Sequence, residues 1–163
     1  MTTYAIREHT PGDEEPIVEL SLRTWEPVFR SVAAELGPEL NALLHGADWR
    51  EHQEREVRET LARYGMRTWV ADESGRVAGF VSAAVVDPRR LIGEIAMLAV
   101  DPASQRRGIG AELTEVATAW LRASGMLVAF LGTGGDEGHA PARRLYDRAG
   151  FTRFPVVQYF KAL

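Results

Sequence analysis

The sequence of 163 residues predicts an α/β fold, a single domain spanning 1–163 with one central sheet flanked by helices. Two observations lead there. Short runs rich in β-branched and aromatic residues alternate with longer stretches whose apolar residues recur every three or four positions, the order of strands separated by helices. One run, GEIAMLAV from Gly93 to Val100, is apolar on both alternating faces apart from Glu94, as in a strand covered on both sides in mid-sheet.

Taken in order, Tyr4 to Glu8 (YAIRE) predicts a short strand, and Asp13 in TPGDEEPIVEL is a fitting N-cap for the helix after it. The helical pattern continues to Tyr64, carried by Leu36, Leu40, Leu43 and Leu44 and then by Val57, Leu61 and Tyr64. RTWVADESGRVAGFVSAAVVD predicts a hairpin turning at DESGR. After the apolar strand, Ile109, Leu113, Val116, Ala117, Trp120 and Leu121 mark an amphipathic helix, with Trp120 a core residue. Met126 to Thr133 (MLVAFLGT) reads as a strand, HAPARRLYDRAGF as a helix stopped at Gly150, and FPVVQYFKAL as a closing strand.

Composition narrows the function. A net charge of −4 argues against a general nucleic-acid or membrane-surface binder, since both need a basic excess. With no cysteine, thiolate nucleophiles and Cys-based zinc sites are excluded. The first residues lack the apolar core of a signal peptide and no run approaches membrane-spanning length, so a cytoplasmic protein is expected.

The most informative stretch is VDPASQRRGIG, Val100 to Gly110. A helix start leaves backbone N–H groups without partners and carries partial positive charge, so it attracts anions. Gly108 and Gly110 remove the Cβ atoms that would block a phosphate, and Arg106 and Arg107 add charge beside it. A P-loop is excluded because no Gly-Lys-Ser/Thr follows, and a dinucleotide fingerprint would need glycine where Leu113 stands.

The spacing Gln-x-x-Gly-x-Gly does fit, and with it the chain resembles the GNAT (GCN5-related) N-acetyltransferases. Three segments carry the resemblance in order: EIAMLAV running into DP, QRRGIGAEL, and ARRLYDRAGF after the next strand. It covers Gly93 to Phe151, and the rest only by order of elements. It implies a mixed GNAT-type sheet, acetyl-CoA as co-substrate, and direct transfer of the acetyl group to a primary amine of a small molecule or peptide. A second reading is a catalytically inactive acyl-CoA-binding sensor or interaction module. Family members are often dimers, which makes a homodimer one expected assembly.

Residue by residue, the resemblance implies main-chain contacts to the pantetheine arm at Leu98 and Val100. It implies a pyrophosphate loop at Gln105, Arg106, Arg107, Gly108, Ile109, Gly110 and Ala111. His139 stands where many members have Asn in contact with pantetheine. Asp136, Glu137 and His139 could also be taken for a metal cluster, but adjacent loop residues seldom converge on one ion, and no metal is expected. Glu94 is the expected general base: a buried carboxylate on an apolar strand would have its pKa raised toward a useful range. It also matches the base position of the family's histone-acetylating branch. Tyr146, in LYDRAGF, is the implied general acid, on a helix face shared with Ala142 and Leu145. Trp25, Phe29 and Trp49 fall in the region of the family's acceptor-binding helices and are candidate substrate contacts.

Overall fold

Five strands form one sheet in the computed structural model, which describes residues 4–163. They are β1 (Ala5–Glu8), β2 (Arg67–Glu73), β3 (Arg76–Asp87), β4 (Ile92–Val100) and β5 (Val128–Phe130), in spatial order β1-β2-β3-β4-β5. The first four pair antiparallel and β4 pairs parallel with β5, so the sheet is mixed as the resemblance implies. Helices α1 (Glu14–His45) and α2 (Trp49–Ala62) cover one face, and α3 (Ile109–Ala123) covers the other. α4 (Ala140–Arg148) follows β5.

α3 is buried on the face its period predicts. Of the residues that carry the helical pattern to Tyr64, only Val57 is fully buried: Leu43 and Leu44 are 67% and 39% exposed, and Tyr64 stands in solvent past the end of α2. Apolar spacing there marks the helix and not a core face. Ile17, Val18 and Leu20 of α1 and Val57 of α2 pack on Val70, Val77, Phe80 and Ala99. Ile109, Leu113, Ala117 and Leu121 of α3 pack on Trp69, Ala71, Val81 and Ile95, and Trp120 joins their margin with its ring 5.7 Å from that of Trp69.

The helical pattern expected to Tyr64 is realised as two helices, α1 and α2. Gly37 is non-helical within α1, at a φ of 78°, and Asp48 starts α2 afresh, its carboxylate accepting from Arg50 N–H at 2.9 Å. Asp13 occupies the N-cap position of α1 without making the cap bond. Its carboxylate instead accepts two bonds from Arg7, at 2.8 and 2.9 Å, which hold it well below the usual carboxylate range and tie the end of β1 to the start of α1.

Two strand expectations are corrected. Met126 to Thr133 shortens to Val128–Phe130, and residues 152–163 form no strand. Phe154, Val156, Val157 and Tyr159 are 74–91% exposed. Their β-forming residue types were the basis of the expectation, but a strand needs a backbone partner, and β5 pairs with β4 over only three residues.

Candidate functional site: a cleft where two strands part

β4 and β5 are paired only from Ile92 to Glu94, opposite Val128 to Phe130. Beyond that point β4 keeps β3 on one side and, among the described residues, has no strand on the other. A bulge accompanies the parting. Ser82 pairs with Met97 and Ala83 with Ile95, so Ala96 is an extra residue on β4 and shifts the alternation of its faces. At the end of the strand, Asp101 N–H donates to Ala78 O on β3. Strand alternation then turns the backbone groups of Leu98 and Val100 toward the open edge. Val100 C=O is partly engaged there, accepting from the Gln105 side chain at 3.1 Å and from the Thr24 hydroxyl at 3.3 Å.

The parting opens a cleft of about 1110 Å³. β4 from Ile95 to Val100 forms its floor, and Thr24, Trp25, Pro27 and Val28 of α1 form one wall. α4 supplies another through Ala142, Leu145 and Tyr146, and Gln105, Arg106 and Gly108 to Ala111 close one end.

That end has the geometry of an anion cradle. Arg106 is held at a φ of 61° and Gly108 at 86°, two left-handed residues flanking one position, and such turns point successive N–H groups into a concavity. The first hydrogen bond of α3 runs from Glu112 N–H to Gly108 C=O at 3.1 Å, so the amides of Ile109, Gly110 and Ala111 precede the helical ladder. Gly110 also admits α4: a Cβ there would stand 3.2 Å from Leu145 Cδ2. The two arginines divide. Arg106 lines the cleft, whereas the Arg107 guanidinium lies 2.7 Å from a Glu73 oxygen and its side chain is outside the lining.

The cleft brings together Leu98, Val100, Gln105, Arg106, Gly108, Ile109, Gly110, Ala111, His139, Tyr146 and Trp25. Tyr146 lies on the face with Ala142 and Leu145 as its spacing predicts, and its ring meets Phe151 edge-on at 5.8 Å. Burial pushes its phenol up to about 12. His139 Nδ1 lies 2.5 Å from an Asp136 oxygen, and Asp136 also accepts from Ser31 of α1 at 2.6 Å. Ser31 was not legible as part of the site, since 105 residues separate it from Asp136. Among the described residues no group of three or more His, Cys, Asp or Glu is placed to hold a metal.

Besides Arg107, three expected residues lie outside the cleft lining. Phe29 and Trp49 stack with ring centroids 4.7 Å apart, with His45 and His52 edge-on to Phe29, and this cluster fastens α1 to α2 outside the cleft lining. Their apolar rings are spent on packing the two helices. Glu94 is also outside the lining, and its carboxylate forms an ion pair with Arg63 at 2.9 Å. Its side chain is 27% exposed, so the deep burial expected of a carboxylate on an apolar strand is absent.

A family model described as the acetyltransferase (GNAT) family matches residues 25–151. The chain belongs to this family. A mycothiol acetyltransferase of Stackebrandtia nassauensis is 32% identical over 170 residues, covering 98% of this chain and 55% of that protein. The chain spans about half or less of the length of the curated relatives it matches. Among solved structures, a GNAT-family protein from Desulfovibrio desulfuricans superposes with a TM-score of 0.70 at 24% identity, over 95% of this chain and 88% of the other. The PaiA N-acetyltransferase of Thermoplasma acidophilum, in complex with coenzyme A, gives 0.64 at 16% identity over 90% and 89%. These two likenesses are of fold. Among the described residues of this GNAT chain, no helix is long and apolar enough to cross a membrane.

Proposed function

We propose that this protein is an acetyl-CoA-dependent N-acetyltransferase that moves the acetyl group directly to a primary amine of a small molecule or peptide. One observation carries the reading: a strand edge left open beside an anion cradle, in one continuous cleft. An extended arm bearing amides and ending in a pyrophosphate is the ligand shape that answers both. Leu98 and Val100 offer the backbone groups for the arm, and the amides from Arg106 to Ala111 offer donors for the phosphates. Acetyl-CoA supplies an activated acyl group. The chain orients the thioester and the amine in one cleft and sets a strand amide near Leu98 to steady the developing oxyanion.

Isothermal titration tests the reading. Acetyl-CoA is expected to bind at micromolar to low millimolar concentration and to release thiol when a primary amine is present. Absence of binding at millimolar ligand overturns it. Binding without thiol release on any panel of amines favours the sensor reading instead.

The division between the two arginines predicts an asymmetric result. Arg106→Ala is expected to weaken coenzyme A binding by about 1–3 kcal/mol, the worth of a charge-assisted contact. Arg107→Ala, whose guanidinium is committed to Glu73, is expected to stay within about 0.5 kcal/mol of the parent. Equal losses in titrations of the two variants would show that both side chains reach the phosphates. The cytoplasm, where acetyl-CoA is made and used, is the compartment this activity fits. The expected homodimer is open to light scattering.

A further inference from the structure

His139 lies on the cleft wall in the turn leading to α4, with Tyr146 on the same wall. The carboxylate beside it is fixed independently. One Asp136 oxygen is 2.5 Å from His139 Nδ1, and the other accepts from the Ser31 hydroxyl at 2.6 Å and from Gly138 N–H at 3.1 Å. Burial alone would raise this carboxyl, but the bonds from Ser31 and His139 outweigh it and hold it below its ordinary value. Asp136 is therefore a carboxylate at neutral pH and can only accept, so Nδ1 carries the shared proton. Nε2 is left with its lone pair, on a ring that lines the cleft.

The turn is clamped from both neighbours. A Cβ on Gly138 would fall 2.7 Å from Ser31 Cβ and 3.0 Å from Val28 Cα, which is how closely α1 approaches. Arg143 of α4 donates to Gly134 O and Asp136 O, both at 2.6 Å. Such a seat holds an imidazole in one orientation and one tautomer.

Resting on the acetyltransferase reading above, the geometry points to His139 as the catalytic base that takes a proton from the acceptor ammonium, with Asp136 as its positioning residue. Glu94 is poorly placed for that work, being paired with Arg63 outside the cleft lining. With Nδ1 given to Asp136, the ring offers the cleft an acceptor only, so it does not reproduce the donor half of an amide side chain. An ammonium proton is what such a group takes. Other charged or titratable groups on the cleft are Arg106, Glu115, Tyr146 and Arg148, and those on the turn and its clamp are Asp136, the exposed Glu137 and Arg143. The α1 and β4 linings are uncharged.

The step balances without a redox partner. Nε2 takes one proton from R–NH3⁺ and later returns it to solvent. The freed nitrogen lone pair forms the C–N bond while the carbonyl π pair moves to oxygen. Collapse breaks the C–S bond, the nitrogen loses a second proton, and the departing sulfur gains one.

Two measurements test the assignment. In ¹⁵N imidazole spectra of the labelled protein, with the signal of His139 located by its loss in His139→Gln, the Nδ1–H tautomer is expected in the parent and its loss in Asp136→Asn. This needs no ligand. The second is kcat/KM against pH with acetyl-CoA and spermidine, neamine or a lysyl tripeptide as probe amine. His139→Gln is expected to lower kcat by roughly 10²-fold or more and remove the acid-side limb, with the Kd for coenzyme A unchanged within about twofold. Asp136→Asn is expected to move that limb and lower kcat by a smaller factor. An Nε2–H tautomer in the parent overturns the proposal, as does an unaltered profile in His139→Gln or loss of the limb in Glu94→Gln instead. Failure of acetyl-CoA to bind the parent overturns the acetyltransferase reading itself, and the two failures are thereby distinguished.

Discussion

Replacing Tyr146 by Phe is expected to lower turnover by roughly 10²–10⁴-fold, the range for a lost general acid, with coenzyme A affinity and thermal stability nearly unchanged. The Phe ring keeps the edge contact with Phe151, and burial is the cause of the phenol's shift, with no side-chain hydrogen bond contributing, so deletion of the hydroxyl leaves no orphaned group. Burial is the cause that pushes the phenol up to about 12, so it holds its proton across the working pH range. A phenol so raised is a weaker acid than a thiol, and it does not simply hand its proton to sulfur. The transfer becomes favourable when the phenolate is refilled from the cationic nitrogen of the tetrahedral intermediate, so that a proton passes from nitrogen through the Tyr146 oxygen to sulfur as the C–S bond breaks. The parent profile should accordingly show no basic limb from Tyr146 below pH about 11. Full turnover in the Phe variant, measured by thiol release where chemistry is rate-limiting, would assign the proton to water or another donor.

The parts of this site that were legible in the sequence are those built from neighbours in the chain. The cradle from Gln105 to Ala111 and the α4 face of Ala142, Leu145 and Tyr146 follow from local spacing, and the structure sets both on one cleft. What spacing does not carry is the partner across the fold. Arg107 and Arg106 are adjacent, yet Glu73, on the hairpin, captures only one of them. Glu94 meets Arg63 from 31 positions away, and that ion pair makes a strand-end carboxylate out of what the apolar run implied was a buried one. The same limit explains Phe29 and Trp49, whose apolar character fits a substrate pocket and a helix junction equally well; the stacking across α1 and α2 decides it. The closing segment from Phe154 fails for the opposite reason. Its residue types favour a strand, but pairing belongs to the sheet edge and not to the segment.

The largest stability loss is expected at the seat of the cradle, where Leu113→Ala should cost about 2–5 kcal/mol in urea unfolding, with an unchanged m-value. Leu113 is fully buried in the cluster formed with Trp69, Val81, Ile109 and Leu121. It lies where α3 rests directly on strand backbone. A Cβ on Gly79 of β3 would stand 2.9 Å from Ala99 O and 3.2 Å from both Ile109 Cγ2 and Leu113 Cδ1, so no side chain intervenes between helix and sheet. Leu113 therefore has tight neighbours on the sheet side, and the truncated site cannot collapse far to fill the void. Ile109, one turn earlier, begins α3 beside the cradle, so the same packing that holds the helix also fixes the amides proposed for the phosphates. Coupling between the two is measurable. If the cradle survives truncation, coenzyme A at about 100 times its Kd should restore about 2.7 kcal/mol of the lost stability by mass action. A destabilised Leu113→Ala protein that gains nothing from the ligand would show that Leu113 sets the position of the cradle as well as holding the helix to the sheet. A loss below about 1 kcal/mol would mean that neighbouring side chains close over the gap and that α3 is less firmly seated than its contacts imply.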